Sequence, residues 1–136
     1  GLSIPKIGAS DYGYRIAKHF GIDVIEPRPA LVPLTFDARA WEPYAQLSGV
    51  ALEVGIAAPA DSSSPRFVED LLFTHRGLSG PAVLQVSTFW RPGEPIDIDL
   101  APGRSLRELL AQARESSRQQ LSTVLGEHLP RRLATA

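Results

Sequence analysis

Val50-Ala51-Leu52-Glu53-Val54-Gly55-Ile56-Ala57-Ala58 is the stretch on which the fold class turns. Val50, Leu52, Val54, Ile56 and Ala58 alternate with Ala51, Glu53, Gly55 and Ala57, and a period of two sets one group on each face of a half-buried strand. Pro59 ends the run, and Asp61-Ser62-Ser63-Ser64-Pro65 reads as a polar loop. Phe67 to Phe73 returns as a second strand, expected to pair with the first as a hairpin with a long loop. Farther on, Ile96, Ile98 and Leu100 alternate with Asp97 and Asp99 in another strand.

Phe73-Thr74-His75-Arg76-Gly77-Leu78-Ser79-Gly80-Pro81 follows the second strand and brings an apolar run up to two close glycines. Ser79 is placed to cap a helix with Pro81 in its first turn, running from Ala82 to about Trp90. Arg91-Pro92-Gly93 stops it. From Ser105 the period becomes helical: Ser105-Leu106-Arg107-Glu108 is a capping box. Leu106, Leu109, Leu110 and Ala113 form one face of a helix expected to reach about Gln119. Gln120–Glu127 makes a second helical piece, and Arg131–Ala136 a last segment beyond Pro130. Leu121, Val124, Leu125, Leu129 and Leu133 give this tail apolar surface with little else in the chain to bury it.

Toward the other end, residues 1–9 read as a loop because Gly1, Pro5 and Gly8 punctuate them. Ser10 or Asp11 caps a helix from Tyr12 to about Phe20, with Tyr12, Ile16 and Phe20 four residues apart and Gly21 as its stop. Ile22–Ile25 is a short extended run. Pro27, Pro29 and Pro33 then favour extended backbone at a sheet edge. The expected fold is α+β: a small antiparallel barrel-like β domain with a packed helix, followed by a helical segment. Its parts are a lead-in loop and helix over 1–25, a β-rich domain over 26–103 and the helical segment over 104–136.

The whole is 136 residues, 43% hydrophobic, enough for one domain with a core. A net charge of −1 provides no basic excess for nucleic acid or an anionic membrane. Without cysteine there are no disulfides, thiolate nucleophiles or thiolate metal sites, which is compatible with a cytoplasmic location. No apolar run approaches the roughly 20 residues that cross a bilayer. The chain has no methionine, so either an initiator was removed before Gly1 or the chain is cut from a longer one.

Several chemistries can be weighed against their plainer readings. Ser79 with His75 evokes a serine nucleophile, but Gly77-Leu78-Ser79-Gly80-Pro81 breaks the G-x-S-x-G spacing, and a helix cap explains the serine. Asp97 and Asp99 are two apart, as cation-chelating carboxylates are in loops; on a strand they form one solvated face. His19, His75 and His128 have no ligand spacing, so no metal site is expected. Phosphate-binding glycine signatures are absent, although Gly77–Gly80 with Arg76 could offer backbone N–H groups to an anion. Trp41, Tyr44, Phe89 and Trp90 read as core or interface rather than a base-stacking platform.

Taken together, four blocks resemble a known family, the HI0933-like flavoproteins. They are Gly1-Leu2-Ser3-Ile4-Pro5-Lys6-Ile7-Gly8-Ala9-Ser10 with Gly13-Tyr14-Arg15-Ile16-Ala17, Arg28-Pro29-Ala30-Leu31-Val32-Pro33-Leu34, Leu71 through Ala82, and Leu129-Pro130-Arg131-Arg132-Leu133. The resemblance implies an FAD-dependent, NAD(P)-type oxidoreductase whose flavin domain is split by an insert. This chain is similar to that insert plus a short lead-in from the flavin domain over 1–25. It has no dinucleotide fingerprint, so it is not expected to bind FAD tightly alone, and its partner would be the FAD-binding domain of the parent protein. The resemblance places Ser3, Pro5 and Gly8, and Thr74, Gly77 and Ser79, near the flavin or the substrate entrance. It assigns no catalytic residue, no substrate and no choice between NADH and NADPH. Self-association through apolar surface exposed by separation from the parent is a further expectation. The alternative is a free-standing binding module that uses the apolar helical tail.

Overall fold

The computed structural model describes residues 2–116 and 120–136. Five strands form one antiparallel sheet, curled as an open half-barrel: β1 (Leu34–Thr35), β2 (Ala51–Ala57), β3 (Phe67–Thr74), β4 (Gly77–Ser79) and β5 (Asp97–Asp99). Their order is β1-β4-β3-β2-β5. The hairpin pairs Ala51 with Leu72 and Ile56 with Phe67, while Ile56 also faces Ile98 of β5. As the alternation requires, Val54 and Ile56 are fully buried. Gly55, on the opposite face, leaves room for the Arg66 guanidinium, which would collide with a Cβ there. That guanidinium reaches across to Asp99 Oδ2 at 2.5 Å, and Asp99 Oδ1 accepts the Ala101 N–H at 3.1 Å. On the Asp97–Asp99 face, Asp99 is therefore ion-paired and Asp97 is exposed.

One helix, α3 (Pro81–Val86), lies on the inner face of the sheet and buries Ala82, Val83 and Val86 against β2, β3 and β4. Leu71 and Phe73 of β3 and Leu78 of β4 complete that core. The helix is shorter than its apolar run implies. Ser87 Oγ donates back to the Leu84 carbonyl oxygen at 2.7 Å, and the chain turns through 87–89 instead of continuing to Trp90. Its cap also differs from expectation. Ser79 belongs to β4, where it pairs with Leu72, and Gly80 (φ 92°) holds the N-cap position with no side-chain cap bond. The sheet pairing of Ser79 moves the cap one residue on, to a position where only glycine fits, since a Cβ on Gly80 would sit 2.7 Å from the Asp70 carbonyl oxygen.

Two elements have no counterpart in the sequence expectation. α2 (Ala38–Ala45) starts at Asp37, whose Oδ1 accepts the N–H groups of Arg39 and Ala40, and it carries Pro43 inside. β4 is a three-residue strand concealed within the Gly77–Ser79 motif. At the sequence ends, α1 (Tyr12–His19) forms where its spacing predicts, and Ile22–Ile25 joins no sheet.

Ser105 caps α4 (Leu106–Ser116), its Oγ accepting the Glu108 N–H at 3.2 Å, which is the serine half of the expected capping box. Gly1 and the expected helix end at about Gln119 lie outside the described residues. Two short helices follow, α5 (Leu121–Gly126) and α6 (Arg131–Ala134). Contrary to the expectation of an uncovered tail, Val124, Leu129 and Ala134 are buried and Leu133 packs on the main core, although Leu121 stays exposed. Arg132 fixes the arrangement by donating to the backbone oxygens of Ser48 and Gln46 in the turn before β2.

Candidate functional site

Thr74-His75-Arg76-Gly77 is the tight turn joining β3 to β4. Thr74 Oγ1 donates to the Gly77 carbonyl oxygen at 2.9 Å and accepts the Arg76 N–H at 3.3 Å. Gly77 has φ 152°, and a Cβ there would collide with the Leu34 carbonyl oxygen. Glycine is what lets β1 close onto β4. Beneath the turn, Trp41 donates its Nε1–H to the Thr74 carbonyl oxygen at 2.9 Å. The indole stacks on Phe36 with centroids 4.6 Å apart and planes 10° from parallel, and it also meets Phe73 and Tyr44. The Phe36 N–H in turn bonds to the Arg76 carbonyl oxygen. A cleft of about 350 Å³ opens here between the aromatic wall, Asp37 and Glu42, with His75 and Arg76 exposed at its rim.

Of the residues singled out in sequence, Thr74, Gly77 and Ser79 thus share one hairpin. No hydrogen bond joins Ser79 to His75 among the described residues, so the serine lacks a base in contact with it. Ser3, Pro5 and Gly8 lie in a separate exposed loop, a single 3-10 turn over Pro5–Ile7 closed by Gly8 (φ 94°). Its backbone bonds run within itself: Gly8 N–H to the Pro5 oxygen at 3.0 Å and Ala9 N–H to the Ile4 oxygen at 3.2 Å. The fit to a flavin can be judged from these groups. Thr74's hydroxyl and the space beside Gly77 are used by the hairpin itself, and no buried side-chain polar atom among the described residues is without a partner. Within this chain they form no cradle for FAD, and no step of flavin chemistry is assigned to them.

A larger cavity, about 640 Å³, lies elsewhere. It runs between the extended segment around Arg28–Val32 and the chain leaving α3 at Ser87–Pro92. Sequence reasoning missed it because its two walls come from segments far apart in the chain. The available signal was the recurrence of an Arg-Pro dipeptide at Arg28-Pro29 and Arg91-Pro92. Nearby, Asp61 Oδ1 accepts from Ser63 Oγ at 2.6 Å and Ser63 N–H at 2.9 Å. These bonds hold the Asp61 carboxyl below its ordinary value, with Arg91 and Arg28 adding to the effect. Among the described residues, no group of three or more His, Asp or Glu could hold a metal ion, and no helix is long and apolar enough to cross a membrane.

Residues 28–136 match the family model described as the HI0933-like protein barrel and H2TH domain. The chain belongs to the HI0933-like family. Two curated relatives extend the match to nearly its whole length. It is similar to a ribosomal RNA dihydrouridine synthase of Haemophilus influenzae, 48% identical over 135 residues, or 98% of this chain and 32% of the relative. A protein of the same description from Escherichia coli is 46% identical over 134 residues, 98% of this chain and 33% of the relative. The HI0933-like chain described here thus spans about a third of the length of these relatives.

Proposed function

We propose that this chain is the inserted, substrate-facing domain of a flavin-dependent oxidoreductase acting on ribosomal RNA, and that it is inactive alone. The observation that carries the reading is identity near one half, over 98% of this chain, with two proteins named as ribosomal RNA dihydrouridine synthases. Dihydrouridine differs from uridine by two hydrogens across one carbon–carbon double bond, so its formation needs a two-electron reductant. A flavin, itself reduced by a nicotinamide cofactor, supplies such electrons when bound.

In this reading the parent's FAD-binding domain covers the Ser3–Gly8 loop, α1 and the 74–79 hairpin, and the insert shapes access to the reacting base. The uncovered apolar side chains of the lead-in support that partner. The earlier expectation of no nucleic-acid partner rested on net charge, which averages over patches of either sign. The competing module reading loses its support in the tail, because Val124, Leu129 and Ala134 are buried within the chain.

The test is spectroscopic and chemical. Purified full-length protein should show a flavin absorbance spectrum, while this chain alone should be colourless. With NADH or NADPH and unmodified ribosomal RNA, the full-length protein should form dihydrouridine, detected as a two-hydrogen mass gain in nuclease fragments. Full-length protein that takes up no added FAD would sink the proposal.

A further inference from the structure

The groove between Arg28–Val32 and the exit of α3 has features that the catalytic reading does not use. Its volume, about 640 Å³, falls in the range that accommodates a nucleotide-sized ligand. Arg28 and Arg91 reach it from opposite walls, and no carboxylate lines it. Among the described residues neither guanidinium makes an ion pair or a side-chain hydrogen bond. Both nevertheless act on one neighbouring carboxylate, Asp61, which places their charges on the same side of the molecule.

The walls are fixed in place. Ser87 is buried, its Oγ accepting the Val32 N–H at 3.0 Å while donating to the Leu84 oxygen, and this ties the extended segment to the end of α3. Trp90, half-buried, packs one side against the core and lines the groove, and its Nε1–H donates to the Glu94 oxygen at 2.7 Å, which holds the indole in place. Thr88 leaves an exposed hydroxyl at the same site.

We propose that this groove binds single-stranded ribosomal RNA, with Arg28 and Arg91 on successive phosphates and the indole of Trp90 against a base. The inference rests on the RNA reading above. Two guanidinium groups in no ion pair or side-chain hydrogen bond complement phosphate, and an aromatic face beside them serves any base. A strand held here would be anchored away from the 74–79 hairpin, so binding and chemistry would occupy different parts of the surface.

The experiment uses the full-length, flavin-loaded protein and in vitro-transcribed ribosomal RNA, with affinity measured by filter binding across a salt series. The double variant R28E/R91E should bind about tenfold more weakly or worse, with a salt slope shallower by about 1.4, as the loss of two single-strand phosphate contacts dictates. Arg28→Lys with Arg91→Lys should keep the slope. Unchanged affinity and slope in R28E/R91E would overturn the groove while leaving RNA as the substrate. Loss of flavin or of thermal stability in that variant would show the groove holding the parent's own chain, and overturns it too. Wild-type protein that binds no ribosomal RNA overturns it as well. If wild type binds, R28E/R91E does not, and no uridine is ever reduced, the groove stands and the catalytic reading fails.

Discussion

Between residues 2 and 33 no side chain is buried, although Ile7, Phe20 and Ile25 are 80%, 74% and 94% exposed. From Leu34 onward, a single core gathers Trp41, Leu47, Val54, Ile56, Leu71 and α3. Both regions show regular apolar spacing: every four residues along α1, every two along β2. Only β2 has a partner in the chain to receive its apolar face. Periodicity specifies which face of an element is apolar, and burial depends on whether a second surface exists to meet it. Under the proposed reading, these exposed apolar side chains are where the FAD-binding domain would pack.

The largest effect that would sharpen the contrast is expected at Leu71, fully inside the sheet–helix core. Leu71→Ala should destabilise this chain by about 2–5 kcal/mol in urea unfolding, since the cavity cannot collapse between β3 and α3. Next comes Gly77→Ala, where the added methyl group meets backbone at the β1–β4 crossing and the φ of 152° is strained for any side chain. A loss of about 1–3 kcal/mol or more is expected, with amide exchange accelerated first at Leu34 and Thr35. The smallest effect should come from the lead-in. Phe20→Ser with Ile25→Ser should change the stability of this chain by no more than about 0.5 kcal/mol, because those side chains touch little. The same pair placed in full-length protein should lower its melting temperature; an unchanged value there would break the comparison by showing that no parent surface covers them.

Strands β2 and β5 were legible because alternation and ladder pairing are the same physical fact seen from two sides, and β3 because a polar loop after β2 returns the chain as a hairpin. The β3–β4 turn was harder. Ser79 and Gly80 present a reasonable helix cap by composition, yet the three residues before Gly80 are drawn into the sheet by pairing with Leu72, Phe73 and Thr74. Tertiary hydrogen bonding overrode a local preference. α2 was hidden because it is only eight residues long and carries Pro43, which removes a helix N–H donor and so weakens the local helical signal. In the candidate sites, the chain order kept the 74–79 residues together and so made them visible. The arginine-lined groove was invisible because its walls, Arg28 and Arg91, meet only after the sheet and α3 have formed.

The flanks of the sheet bear on how this chain behaves at high concentration. On one side only Leu34 and Thr35 pair, and they are preceded by Pro33, which has no N–H to offer an incoming strand. On the other, Asp97 and Asp99 follow Pro95 and place carboxylates along the outermost strand. Strand addition between copies is therefore hindered at one margin by the donor missing at Pro33 and at the other by the exposed Asp97 carboxylate, Asp99 being held by Arg66. Fibrous stacking of this chain should be suppressed even at high concentration, and in any dimer it forms the backbone amides of β1 and β5 should exchange no more slowly than in the monomer, since side-chain contacts and not shared sheet would hold it.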